Sequence, residues 1–187
     1  SNLYKKFPNL RINLMLEEKV LDLPMREADV AIRMQEPNQA DLIRRKLMFV
    51  QLKFYSSRKY INLYGEPKSI AEFRNHRLIC QSPDAPQVAS GAQFIKPFLD
   101  KHQGPVMLVN SYFGVLQGIQ NDFGIGALPN YVEVDTEQLV PVLPTASSDL
   151  VPVFLAYPEE LKKSRKVDVF KNFVINEIKT YQKQIGK

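Results

Sequence analysis

Cysteine occurs once in 187 residues, at Cys80, which excludes an internal disulfide and fits a reducing compartment. Histidine occurs twice, and neither His76 nor His102 has a second histidine or a cysteine at metal-ligand spacing. No apolar run reaches the roughly 20 residues that cross a bilayer. Residues 1–6 carry neither the apolar core nor the cleavage site of a signal peptide, so a cytoplasmic location is the default expectation. Gly124-Ile125-Gly126 lacks the third glycine of a dinucleotide fingerprint, and Ser56 and Ser111 lack the Gly-x-Ser-x-Gly setting of a strained nucleophile. No phosphate-binding loop, repeat or low-complexity segment is present. Charge is close to balanced, 25 Lys and Arg against 20 Asp and Glu. The two basic clusters, 44–46 and 162–166, are short and have acidic neighbours, unlike the long basic stripe with interleaved aromatics of a nucleic-acid surface. The residues therefore give no catalytic constellation, no metal site and no cofactor.

What is present is concentrated in Asn110-Ser111-Tyr112 through Pro129. Ser111 is placed to accept a hydrogen bond from the first turn of a helix. Val115, Leu116, Ile119 and Phe123 recur at helical spacing and give that helix one buried face. A turn and the strand Gly124-Ile125-Gly126-Ala127-Leu128-Pro129 follow. A helix N-terminus carries free donors and a partial positive charge, so it can hold an anion. Alone, the segment reads more readily as an ordinary buried helix and strand of an α/β domain.

Elsewhere, residues 3–7 look like the end of a helix. Residues 10–16 alternate in polarity and predict a strand; residues 21–28 predict a short helix broken by Pro24; and 29–33 predict a buried strand. Extended segments are expected at 42–47 and 50–56, and helices at 57–64 and 69–75, the second with a Ser69/Glu72 capping box. The Cys80 strand, a loop over 82–92, a helix over 94–102 and strands at 106–109, 139–143 and 153–157 come next. A long amphipathic helix over 167–185 closes the chain. Helices alternating with strands predict an α/β protein with mostly parallel sheets.

The series Phe7-Pro8-Asn9-Leu10-Arg11-Ile12, Glu27-Ala28-Asp29-Val30-Ala31-Ile32-Arg33, Asp41-Leu42-Ile43, Tyr55-Ser56-Ser57, Gly65-Glu66-Pro67, His76-Arg77-Leu78-Ile79, Asn110-Ser111 and Gly124 through Pro129 resembles the effector-binding domain of LysR-type transcriptional regulators. The resemblance lies in order and spacing along nearly the whole chain. It implies an α/β fold of two lobes joined by two crossing strands, like type II periplasmic binding proteins. Residues 1–53 and 161–187 would form the first lobe and 54–160 the second, with crossings near 52–55 and 157–161. It implies a ligand-sensing domain that binds a small-molecule effector in the inter-lobe cleft, forms a homodimer or homotetramer, and has no membrane partner. DNA would be bound only through the family's N-terminal winged helix-turn-helix, which these residues do not contain. The domain's first strand, its loop and most of the next helix would also lie outside them. The alternative is a solute-binding protein of a transport system with the same fold.

In such folds ligands bind at strand ends facing the crevice. The resemblance implies that Ile32, Arg33 and Met34 lie there; Arg33 suits a carboxylate or an inter-lobe salt bridge. Tyr55 and Ser56 fall at the first crossing, as cleft or hinge residues, and Gln81 follows the Cys80 strand, as a cleft or loop residue. Asn110, Ser111 and Tyr112 form the anion-suited helix start, and Leu128 and Pro129 would be apolar walls or core. The expected effector is an organic anion.

Overall fold

The protein is described by a computed structural model covering residues 2–16, 22–23, 25, 27–82, 89–134 and 138–184. Two sheets organise it. The smaller has three strands, β1 (Ala31–Arg33), β2 (Leu42–Val50) and β8 (Val151–Pro158), in the order β1-β8-β2. The larger has five, β3 (Leu52–Ser57), β4 (Leu78–Gln81), β5 (Val106–Val109), β6 (Ile125–Pro129) and β7 (Leu139–Ser147), in the order β5-β4-β6-β3-β7. The expectation of mostly parallel sheets is corrected. The small sheet is antiparallel throughout, and in the large one only β4 with β5 and β4 with β6 run parallel. The reason is topological: β3 enters the large sheet directly from β2 through Gln51, and neither of its neighbours, β6 and β7, is joined to it by the single helical crossover that a parallel pair requires.

The helices are α1 (Asn2–Lys6), α2 (Arg58–Tyr64), α3 (Ile70–Phe73), α4 (Ala89–Leu99), α5 (Tyr112–Gln120) and α6 (Arg165–Gln184). Their ends follow capping chemistry. Ser57 Oγ accepts from Tyr60 N at 2.9 Å, and α2 stops at Gly65, whose φ of 83° suits a residue without Cβ. Ser69 Oγ accepts from Glu72 N at 3.2 Å, but Glu72 reaches back to Lys68 N at 2.8 Å, one residue beyond the expected box.

Three local expectations fail. Residues 10–16 have no regular secondary structure and belong to neither sheet, with Leu14 74% and Leu16 57% exposed; among the described residues no strand pairs with them. Of the helix expected over 21–28, Leu21, Pro24 and Arg26 lie outside the described residues. The rest is turn, with the Asp22 carboxylate accepting from Met25 N at 3.1 Å, a side-chain bond that competes with helix. The loop expected to run through residue 92 gives way to α4 at Ala89, since Ile95, Phe94, Phe98 and Leu99 bury one helical face against Phe54.

The chain passes from the small sheet to the large at Gln51 and returns through 148–150. The return expected near 157–161 lies elsewhere, because β8 pairs with β2 along its whole length, from Val151 opposite Val50 to Pro158 opposite Leu42. In the large sheet both faces are covered. Phe54, Leu78, Cys80, Ile125 and Val142 pack under α2, α3 and α4, and Tyr55, Ile79 and Leu128 pack against Val115 and Ile119 of α5. Gly118 and Gly126 permit the close approach of α5: a Cβ at Gly118 would stand 2.1 Å from Ile79 Cδ1, and one at Gly126 2.6 Å from Val115 Cγ1. The small sheet buries Leu155 and Tyr157 against Val167 of α6. Among the described residues no helix is long and apolar enough to cross a membrane.

Candidate functional site

Where the two sheets face each other lies a cavity of about 860 Å³. The small-sheet side supplies Ile32, Arg33 and Met34 at the end of β1, Leu47 and Met48 of β2, and Val153 of β8. The large-sheet side supplies Ser111, Tyr112, Phe113 and Leu116 at the start of α5, and Leu128, Pro129, Tyr131 and Val132 around the end of β6. Phe173, Val174, Glu177, Ile178 and Tyr181 of α6 form a third wall. The volume suits a small organic molecule, and the lining is mainly apolar with few polar groups.

Two features favour negative charge in that space. Arg33 is half-buried, and burial lowers its pKa from the ordinary guanidinium range; the group remains a cation that gains from an anionic neighbour. The N-terminus of α5 opens onto the cavity through Ser111 and Tyr112, with Ser111 Oγ accepting from Gly114 N at 3.2 Å. That bond makes Ser111 a helix cap first; its lone pairs stay near the cavity while its main acceptor task is local.

The sequence-derived candidates divide. Ile32, Arg33, Met34, Ser111, Tyr112, Leu128 and Pro129 line one cavity. Tyr55, Ser56, Gln81 and Asn110 do not. Tyr55 is 1% exposed and points into the core around Ile79 and Val115; its hydroxyl donates to Glu133 Oε1 at 2.6 Å. Burial first, then that bond, pushes its pKa up. Ser56 is buried and donates to the Gly124 carbonyl at 3.0 Å, closing β3 against the turn before β6. Gln81 is buried beside Leu52, Cys80 and Ile95 in a gap of about 10 Å³, separated from the main cavity by Tyr112. Asn110 is exposed. For Tyr55, Ser56 and Gln81 the cause is shared: β3 and β4 are covered on both faces, so proximity in sequence to a crossing or strand end does not turn a side chain toward the cleft.

Residues the sequence did not single out include Tyr131 and the α6 wall. The apolar stripe with Phe173, Ile178 and Tyr181 marks α6 as amphipathic, but its docking partner is set by tertiary structure. Cys80 is buried and its thiol is pushed up to about 11, which leaves it a small hydrophobe. Among the described residues no group of three His, Cys, Asp or Glu stands close enough to hold a metal ion.

Against known proteins, the chain matches the LysR substrate binding domain over residues 1–179. It is 27% identical over 192 residues to the HTH-type transcriptional activator AaeR of Escherichia coli K12, covering 100% of this chain and 60% of that protein. It is 24% identical over 184 residues to the HTH-type transcriptional regulator CrgA of Neisseria meningitidis serogroup C, covering 93% and 59%. The chain thus spans about 60% of the length of these relatives. Among solved structures, the CrgA regulatory domain from Neisseria meningitidis superposes with a TM-score of 0.74 at 21% identity, covering 95% of this chain and 88% of that one. The Synechocystis PCC6803 CcmR regulatory domain in complex with 2-PG superposes with a TM-score of 0.65 at 16% identity, covering 95% and 88%. At these identities the superpositions establish the two-lobed fold.

Proposed function

This chain belongs to the LysR substrate binding domain family, and we propose that it senses a small organic anion for a DNA-binding transcriptional regulator. The carrying observation is a cavity in which Arg33 and the α5 N-terminus meet a mainly apolar lining, with Glu177 of α6 as the acidic group in its wall. Such a wall favours a molecule with an apolar body and one carboxylate or phosphate. The related CcmR regulatory domain holds 2-PG, which supports a small-molecule occupant. The lobes are residues up to Gln51 together with those from Val151 onward, and the segment between. An effector that binds one arrangement of these lobes more tightly shifts the equilibrium toward it, and only by that difference in affinity. DNA contact belongs to a segment outside this sequence, self-association into dimers or tetramers accompanies it, and the protein works in the cytoplasm. The relatives are transcriptional regulators, which disfavours a transport function.

The test is a thermal-unfolding scan against small organic acids, aromatic and aliphatic. At about 100 times its dissociation constant a ligand adds about 2.7 kcal/mol of stability. Arg33→Ala should weaken the responding acid by about ten- to a hundredfold, the scale of one lost charge-assisted hydrogen bond. Equal affinity in wild type and Arg33→Ala would remove the anion from the proposal. No response to any acid, with a response to a neutral or cationic panel, would replace it.

A further inference from the structure

Both places where the chain changes sheets are tied to one residue that follows the cavity wall. Asn130 N donates to the Gln51 carbonyl at 2.8 Å, and Gln51 N donates back to Asn130 Oδ1 at 3.1 Å. Gln51 Nε2 in turn donates to the Ser148 carbonyl at 3.2 Å. Leu52 N donates to Ser148 Oγ at 2.9 Å, and Ser148 N to the Leu52 carbonyl at 2.9 Å. Gln51 is the first crossing and Ser148 begins the second, so these bonds fasten the two crossings to each other and, through Gln51, to Asn130.

The residues on either side of Asn130 are in the cavity. Pro129 and Tyr131 line it, and Tyr131 also packs against both apolar groups that meet there: Tyr55, Ile79 and Leu128 on the large-sheet side, Val50, Val151 and Val153 on the small-sheet side. The last three flank the crossings. A backbone clamp on the hinge is thus one bond away from two side chains that a ligand would press.

We propose that Asn130 is the positioning residue that fixes the angle between the two lobes, and that Pro129 and Tyr131 make this angle answer to cavity occupancy. The proposal rests on the cavity being the effector site, but its central element is testable without any effector. Asn130 Oδ1 holds a buried-side backbone N–H, and losing it leaves Gln51 N to find water or another geometry, which releases the crossing. Asp at this position keeps the acceptor.

The experiment is a pulsed electron-spin distance measurement on the full chain carrying nitroxides at Lys96→Cys, on α4 of the large-sheet lobe, and Lys166→Cys, on α6 of the small-sheet lobe. Both positions are exposed, whereas the native Cys80 is buried and does not label. Asn130→Ala should broaden the distance distribution, or move its mean by more than the wild-type width, and Asn130→Asp should restore it. Ser56→Ala, which removes a buried bond far from the crossings, should lower the melting temperature without changing the distances. If Asn130→Ala fails to fold, Asn130→Ser, whose hydroxyl falls one bond short of the Oδ1 position, should broaden the distribution in the same direction. A wild-type distribution in folded Asn130→Ala, or in Asn130→Ser where that variant stands in for it, overturns the proposal, as does equal broadening in Ser56→Ala. The acid panel decides the effector reading separately: with an acid that raises the wild-type melting temperature, wild type should shift its distances and Asn130→Ala should not.

Discussion

The two lobes bury their sheets in different ways. In the large-sheet lobe, Phe54 is fully buried with its ring centroid 4.7 Å from Phe73, 5.1 Å from Phe94 and 4.8 Å from Phe98, and the opposite face of the same strand is sealed by α5. In the small-sheet lobe the buried groups are small, Leu155, Tyr157 and Val167 in one and three valines in the other, while Ile32 at the edge is 50% exposed. One lobe is a closed scaffold. The other leaves part of its sheet and one face of the C-terminal half of α6 toward the cavity. The lesson is that the binding surface is built where the poorly covered lobe meets the end of the well-covered one, and that stability and ligand contact are carried by different residues.

That division is most directly broken by Phe54→Ala. Removing a fully buried ring from a four-phenylalanine cluster should cost about 3–5 kcal/mol, read by urea denaturation. The half-buried Val174, which faces the cavity from α6, should cost under about 1.5 kcal/mol when cut to Ala, since it loses little burial. Equal losses would mean that the lobes share their stability rather than divide it. Gly124→Ala comes next in size. Its Cβ would meet the Arg77 carbonyl oxygen at 2.2 Å and carbon at 2.7 Å, backbone atoms that cannot swing aside. A loss of about 1–3 kcal/mol is expected.

Acid should act on the large-sheet lobe, which holds both histidines. Tyr60 Oη accepts from Arg77 N at 3.0 Å and lies 3.2 Å from His76 Nδ1, a distance at which a neutral ring with Nδ1 unprotonated accepts the hydroxyl hydrogen. Burial, the main cause, lowers the pKa of His76 and of His102 below the ordinary 6.5, partly offset at His76 by Glu72. Between the lowered value and 6.5 the unfolded chain binds more protons than the folded one, so stability is whole above that range and falls as pH drops through it. Melting temperatures at pH 7.5 and 5.5 should differ, and His76→Asn, which keeps an acceptor without titrating, should reduce the difference. A wild-type melting temperature that does not fall between these values would place the acid-sensitive groups elsewhere.

Much of the scaffold was legible in the sequence, and the reasons are local. The Ser69 and Ser111 caps, the end of the 57–64 helix before Gly65 and the helical spacing of Val115 and Ile119 are short-range signals that tertiary structure did not override, whereas the cap role of Ser57 came from the structure. Residues 10–16 show the limit: their alternation is that of a strand, yet alternation does not supply a neighbour to pair with. Ala89–Leu99 shows the converse, a helix built into a segment rich in small and turn-forming residues because Ile95 and Phe98 have a core to enter. For the cavity, Arg33, Leu128 and Pro129 were found through strand ends, a rule about chain direction. Tyr55 and Gln81 satisfy the same rule and point into the core, because a strand covered on both faces gives no sign of which side is the cleft. Tyr131 was missed because its position depends on two crossings that are 97 residues apart in sequence.

The smallest expected stability effect separates the two roles of Ser111. As a cap, Ser111→Ala should cost about 1 kcal/mol, while Asp, an equally good cap, should leave the melting temperature near that of wild type. As part of the cavity wall, the same Asp puts a negative charge where an anionic effector would lie against the α5 N-terminus, and it should repel that ligand. Ser111→Asp is therefore expected to keep stability and lose organic-acid binding, and Ser111→Ala to lose some stability and keep most of the binding. The two variants move opposite quantities, so neither result can be produced by general damage to the domain. If Ser111→Asp bound the responding acid as tightly as wild type, the anion would sit on the Arg33 side of the cavity alone, and the large-sheet lobe would contribute shape rather than charge.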